Sequence, residues 1–182
     1  MADINFSNSP HTDSRTGEGR PANADLRWDI IELLFFAYRD FVGDADHELE
    51  AFGFGRAHHR VLHFVHRYPG LKVADLLDVL RITKQSLGRV LKQLLDEGYI
   101  VQKAGNNDRR QRLLFATAKG EALVAKLAGL QTDRLNRALR DIAPSGQDAV
   151  RQFLRAMIDR DDPDKVLQTI FGTGNASAKA KE

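Results

Sequence analysis

Between Leu26 and Val42 the apolar residues fall on nearly every side of a helix: Ile30, Ile31, Leu33, Leu34, Phe35, Phe36, Ala37, Tyr38, Phe41 and Val42. A helix that is hydrophobic all round has to be covered all round. A small domain has trouble covering a helix at its own N-terminus, so the pattern predicts a partner subunit. After Gly53 and Gly55 the rhythm changes to a single stripe of Ala57, Val61, Phe64 and Val65, over a helix from Arg56 to Tyr68 that Pro69-Gly70 ends. Val73 to Leu80 reads as a short helix with Val73, Leu76, Leu77 and Leu80 inward, and Arg81-Ile82 as a tight turn. A second helix follows from Thr83 to Glu97, with Thr83 as N-cap and Gly98 as C-cap. Tyr99–Ala104 and Arg112–Ala116 are short strands around Gly105-Asn106-Asn107-Asp108, a concentration of residues that tolerate positive φ. A long helix is expected from Ala118 to Leu139. Another starts at Pro144-Ser145 with Ser145 and Asp148 as a capping box, and its Val150, Phe153, Leu154, Met157 and Ile158 keep one face apolar. A short helix from Asp164 to Ile170 closes the pattern. Residues 1–24 and 172–182 are polar and are expected to be disordered.

On a helical wheel, Leu87, Val90, Leu91, Leu94 and Leu95 share one face of the Thr83–Glu97 helix, while Gln85, Ser86, Arg89, Lys92 and Gln93 cluster opposite. Those exposed types are the ones that read base edges and hold phosphates. A short helix joined by a tight turn to such a helix is a helix-turn-helix. The hairpin that follows carries Asp108, Arg109 and Arg110 at its turn. Arginine fits a narrow minor groove, where the negative potential is enhanced, and Asp108 is placed to orient Arg110 through a bidentate pair.

Charge supports that reading. The chain of 182 residues carries a net charge of only +2, but the window from Arg81 to Arg112 holds eight basic residues against three acids, leaving the remainder at −3. Between Asp25 and Glu50 eight acids face Arg27 and Arg39. A basic middle in an otherwise acidic chain points to a polyanion. There is no cysteine, which excludes disulfides, thiolate nucleophiles and thiol redox sensing. The N-terminus has no apolar signal region and no apolar run is long enough to span a membrane, so a cytoplasmic location without membrane contact is expected. No nucleophile elbow, phosphate-binding loop or dinucleotide fingerprint is present, so an enzyme is not expected, nor a catalytic residue or a cofactor.

The run Pro69-Gly70-Leu71-Lys72-Val73-Ala74-Asp75-Leu76, then Ile82-Thr83-Lys84-Gln85-Ser86-Leu87, then Leu94-Leu95-Asp96-Glu97-Gly98-Tyr99-Ile100, then Asp108-Arg109-Arg110 and Thr117-Ala118-Lys119-Gly120 resembles the MarR family of regulators over roughly residues 25–170. Arg81 stands where that family's inter-helix turn usually has glycine, and Lys72 where serine or threonine usually precedes the first helix of the pair. The resemblance implies a mainly α fold with a small β-hairpin wing: a winged helix-turn-helix between N- and C-terminal dimerisation helices. The expected organisation is a tail over 1–24, a dimerisation helix over 25–52, a DNA-binding lobe over 53–117, dimerisation helices over 118–171 and a tail over 172–182. The implied activity is sequence-specific binding of double-stranded DNA by a homodimer on a pseudo-palindromic operator, relieved by a small ligand. Thr83, Lys84, Gln85, Ser86, Arg89, Lys92, Asp108, Arg109 and Arg110 are the expected DNA contacts.

In proteins of this resemblance the effector pocket often lies between the dimerisation helices and the DNA-binding lobe. That implicates Phe36, Arg39, Phe54, Arg56, His59 and His63, with an arginine for an anionic group and aromatics to cover it. The effector class is therefore small and anionic or aromatic. Four of the six histidines lie on one helix, His58, His59, His63 and His66. His59 and His63 at i, i+4 have chelating spacing, but no carboxylate or cysteine is placed by sequence to complete a site, so no metal ligand is assigned. Two alternatives are a metal-sensing regulator using this helix and a winged-helix module that binds protein instead of DNA.

Overall fold

The computed structural model describes residues 26–105 and 111–158. Its elements are α1 (Trp28–Glu50), α2 (Arg56–Arg67), β1 (Leu71–Lys72), α3 (Val73–Leu80), α4 (Lys84–Asp96), β2 (Ile100–Ala104), β3 (Arg112–Ala116), α5 (Ala118–Leu139) and α6 (Pro144–Ala156). The apolar stripes of α2, α3 and α4 meet over the small sheet, where Leu62, Leu76, Leu87, Leu94, Ile100 and Leu114 are sealed from solvent with Leu127 of α5.

The sheet has three antiparallel strands in the order β1-β3-β2, with Leu71 opposite Leu114 and Gln102 opposite Leu114 on the other side. The pattern expected only the β2–β3 pair. β1 is two residues long, too short to show a period of two, and joins through Gly70, whose N–H donates to the Leu114 carbonyl at 2.8 Å. Gly70 has φ +87, a conformation that only glycine adopts at little cost.

The sequence pattern places α3, β3 and α5 within a residue of where they lie. α1 ends at Glu50, and Ala45 and Leu49, at i, i+4, carry its buried contacts onto α2 and α5. Among the described residues its first half is uncovered, and Leu33 and Phe35 are each 66% exposed. Two expectations need correction. At α6, Ser145 and Asp148 do not form a capping box. Pro144 occupies the first helical position, its fixed φ starting the helix, so the N-cap falls on Ala143, which offers no side-chain cap, and Asp148 accepts from Arg151 instead. At the end of α4 the cap is Glu97, and Gly98 lies one residue beyond it in the left-handed conformation at φ +74. The helix expected over 164–170, the tails and the wing tip at 106–110 lie outside the described residues.

The second half of α1 is tied to α5 by charge as well as burial. Arg134 pairs with Asp44 at 2.8 Å, and Lys126 with Glu48. By contrast α6 has no buried residue: Phe153, Leu154 and Met157 are about half exposed along one face.

Candidate nucleic-acid interface

α4 is fixed on its inner face and bare on its outer face. Leu87, Val90, Leu91 and Leu94 are buried, while Lys84, Gln85, Ser86, Gly88, Arg89 and Lys92 are exposed. The helix starts on Thr83, whose Oγ1 accepts the Ser86 N–H at 3.2 Å and donates to Ser86 Oγ at 2.9 Å. Thr83 is thus a cap first, and Ser86 keeps its own hydroxyl proton for an outside acceptor. Lys92 pairs with Asp96 one turn on, an exposed pair of the kind worth about 0–1 kcal/mol. Lys84, Gln85 and Arg89 make no side-chain hydrogen bond or ion pair among the described residues. Gln93 departs from expectation. It is half-buried and bonded to His58 of α2, so it leaves the outer face. A Cβ at Gly88 would meet nothing within 4 Å, so nothing in the described chain requires glycine there.

The turn before α4 is made without glycine. Arg81 takes the left-handed conformation itself at φ 50, a strain of about 1–2 kcal/mol for a residue with a Cβ. Lys72 likewise replaces a capping hydroxyl: its N–H donates to Asp75 at 3.3 Å, the half of a capping box that a lysine can make. The exit of α4 is closed by the Thr117-Ala118-Lys119-Gly120 run. Thr117 Oγ1 donates to the Gly98 carbonyl at 2.7 Å, and Lys119 Nζ donates to the Glu97 carbonyl at 2.9 Å while lying 4.0 Å from the Tyr99 ring centre. Gly120 lets α5 start directly against the strand; a Cβ there would stand 2.2 Å from the Tyr99 carbonyl oxygen.

From α4 the chain enters the hairpin. Gly105 N–H donates to the Gln111 carbonyl at 3.0 Å, and the exposed Lys103 lies 4.9 Å from the Phe115 ring centre. Asp108, Arg109 and Arg110 lie outside the described residues.

A model of the MarR family matches residues 52–111. The HTH-type transcriptional regulator PetP of Rhodobacter capsulatus is 46% identical over 129 residues, covering 71% of this chain and 78% of that protein. The chain belongs to the MarR family. It is a winged helix-turn-helix transcription regulator and not an enzyme. Solved structures share the fold. A MarR family regulator of Listeria monocytogenes, complexed with 26mer DNA, is 21% identical with a TM-score of 0.63 over 79% of this chain and 95% of that one. A MarR family regulator from Silicibacter pomeroyi is 20% identical with a TM-score of 0.62 over 73% of this chain and 91% of that one.

The residues expected to hold a ligand in this MarR-family chain divide into two groups. Arg56, His59 and His63 line a cleft of about 290 Å³ between α1, α2 and α5, together with Tyr38, Arg60 and Gln131. A second hollow of about 220 Å³ shares Tyr38, Arg56 and Arg60 and reaches Leu80 and Ile82, on either side of the turn before α4. Phe36, Arg39 and Phe54 are elsewhere. Phe36 and Arg39 sit on the exposed half of α1, the guanidinium 4.9 Å from the ring centre and paired with Asp40 at 2.8 Å. Phe54 is core, stacked on His58 with ring centres 4.7 Å apart. A larger cleft of about 490 Å³ between Phe64, Tyr68 and α3 holds none of the expected residues.

Arg60 was legible and missed: Arg56, His59, Arg60 and His63 follow i, i+3, i+4, i+7 on α2. Arg56 pairs with Asp46 at 2.6 Å, and Arg60 donates to Tyr38 Oη at 3.0 Å. The other oxygen of Asp46 is buried without a hydrogen-bond partner among the described residues. Burial holds His59 below the usual histidine range, with Asp46 opposing and Arg60 adding to the effect. His63 is lowered by burial and then by the neighbouring His59, Arg67 and His66. Among the described residues no three His, Cys, Asp or Glu side chains converge to hold a metal ion, and no helix is long and apolar enough to cross a membrane.

Proposed function

We propose that the chain regulates transcription as a cytoplasmic homodimer on a pseudo-palindromic operator, with α4 in the major groove of each half-site. The carrying observation is the outer face of α4, where Lys84, Gln85, Ser86 and Arg89 stand exposed on a helix whose other face is locked into the core. Helix residues of these types pair with guanine, adenine or phosphate. The DNA-bound relative from Listeria supports the same use of the fold here. In this reading Lys92 holds phosphate, and Gly88 lets the backbone come close. Arg109 and Arg110 reach a second groove, with Asp108 orienting Arg110.

The dimer reading rests on the exposed apolar rows of α1 and α6, which form patches larger than scattered surface residues. A two-fold dimer sets half-sites roughly 10 base pairs apart. Binding weakens steeply with salt as counterions are released. The effector is an anion in the cleft between α1, α2 and α5, held by Arg56 and Arg60 with Tyr38 across from them. Its hollow adjoins Leu80 and Ile82, so a bound group bears on the turn that sets α4.

Selection of bound duplexes from random-sequence DNA tests the reading. A symmetric motif is expected, and Arg89→Ala is expected to lose about 1–3 kcal/mol with relaxed preference at one base position. An unchanged Arg89→Ala protein would remove α4 as the reading element. A stable monomer by sedimentation at micromolar concentration would remove the dimer.

A further inference from the structure

The last turn of α4 is held from behind by a polar relay that DNA contact does not use. His58, in the first turn of α2, accepts the Gly55 N–H at Nδ1 over 3.1 Å. A ring nitrogen that accepts carries no proton, so in the neutral ring the proton is on Nε2. That nitrogen lies 2.9 Å from Gln93 Oε1, and Gln93 Nε2 donates to Glu97 Oε1 at 2.9 Å. The relay therefore runs one way, from the corner between α1 and α2 into the recognition helix. The His58 ring is kept in its plane by Phe54, with ring centres 4.7 Å apart and the planes 11° from parallel.

Apolar packing of Leu87, Val90, Leu91 and Leu94 seats α4 on the lobe, and a hydrogen bond, being directional and failing within tens of degrees, adds an angular constraint to that packing. Among the described residues, His58–Gln93 is the hydrogen bond that joins the side chains of α2 and α4. Gln93 lies one turn after Arg89, so a rotation at Gln93 is a rotation at the reading residues. We infer that His58 is a positioning residue for DNA recognition, fixing through Gln93 the rotation at which α4 presents Gln85, Ser86 and Arg89. The inference rests on the reading of α4 as the DNA-contacting helix. It also gives α2 two working faces, since Arg56 and His59 of the same turn line the cleft.

Base readout depends on that rotation, because bidentate pairing has a narrow geometry; phosphate contact through long basic side chains does not. Losing the relay therefore lowers specificity and spares non-specific affinity. His58→Asn keeps an acceptor near the Nδ1 position and drops the bond to Gln93. Gln93→Met drops the same bond from the other side at similar length. The probes are a duplex selected by the wild-type protein from random-sequence DNA and poly(dI-dC) as non-specific competitor. Each single variant is expected to lower the ratio of the two affinities about tenfold, and the double variant to lower it no further, since both break one coupled pair. Thermal midpoint and poly(dI-dC) affinity stay near wild type. A wild-type protein with no sequence preference would overturn the DNA reading and this inference with it. A preference retained in full by both single variants, or additive losses in the double variant, would overturn the inference alone.

Discussion

Leu94 of α4 and Leu154 of α6 are the same residue type on the apolar stripe of a 13-residue helix, yet the first is fully buried and the second is 53% exposed. The contrast holds for the regions around them. From Arg56 to Ala116 the stripes of three helices converge on a small sheet and seal one another. In α6 one apolar face, and in the first half of α1 nearly every side, stay open among the described residues: Ile31, Leu33, Phe35, Phe153 and Met157 are about half exposed or more. Periodicity reports that a face wants covering; it does not report whether the cover comes from the same chain. The lobe covers its own stripes; among the described residues the outer helices do not.

Paired truncations test that contrast with the largest effect. Leu94→Ala removes fully buried methyl groups and is expected to cost about 2–5 kcal/mol in chemical denaturation. That loss should not depend on protein concentration beyond the dependence of the wild type. Leu154→Ala loses little within one chain. If α6 is covered by a partner, the dimer dissociation constant should rise about tenfold or more, the equivalent of about 1.4 kcal/mol of lost apolar burial. Equal behaviour of the two variants across a concentration series would erase the distinction between the regions.

Gly120→Ala probes the joint between them at an intermediate magnitude. The added Cβ would stand 2.2 Å from the Tyr99 carbonyl oxygen, a backbone atom that cannot swing away. α5 must then lift from the exit of α4, straining the Thr117 and Lys119 bonds to the Gly98 and Glu97 carbonyls. Overpacking of this kind costs about 1–3 kcal/mol, a fall of several degrees in thermal midpoint for a chain of this size. An unchanged midpoint would show that α5 is not seated on the lobe through Gly120.

The lobe was largely legible because its signals are local. Thr83 as N-cap, Leu87 to Leu94 on one face and the turn glycines around the strands each act within a few residues of themselves. The two-residue strand β1 was not, since its partner Leu114 lies far along the chain. The cleft was half legible. The resemblance implies the cleft and helical spacing sets Arg56, His59 and His63 on one stripe of α2, but nothing in the sequence tells which side of α1 faces α2, and Phe36 and Arg39 lie off the cleft. The structure puts Tyr38, Phe41 and Val42 there. A helix apolar on all sides has no face that sequence can rank, which is why α1 misled where α2 did not. Phe54 and Gln93 failed for a related reason: each is close in sequence to site residues and is taken by a neighbour, His58.

The smallest expected effect is a pH dependence at the seam between α1 and α2. His59 and His63 have folded-state pKa values below the usual histidine range, burial being the main cause for each. The unfolded chain therefore binds more protons than the folded one once the pH falls below roughly 6.5, the ordinary histidine value. Stability rises with pH wherever the unfolded state holds more protons. These two groups thus contribute no penalty well above that value, and a growing one as pH falls through it, until the folded state also protonates. Asp46 limits the loss at His59, because its carboxylate favours the charged ring. For His63 burial comes first, and His59, Arg67 and His66 each add to the lowering, with no carboxylate among the described residues to oppose it. Chemical denaturation at pH 8 and pH 5.5 is expected to show a modest loss in the wild type. His63→Gln is expected to reduce that loss more than His59→Gln does. The reverse order would mean that Asp46 does not act on His59.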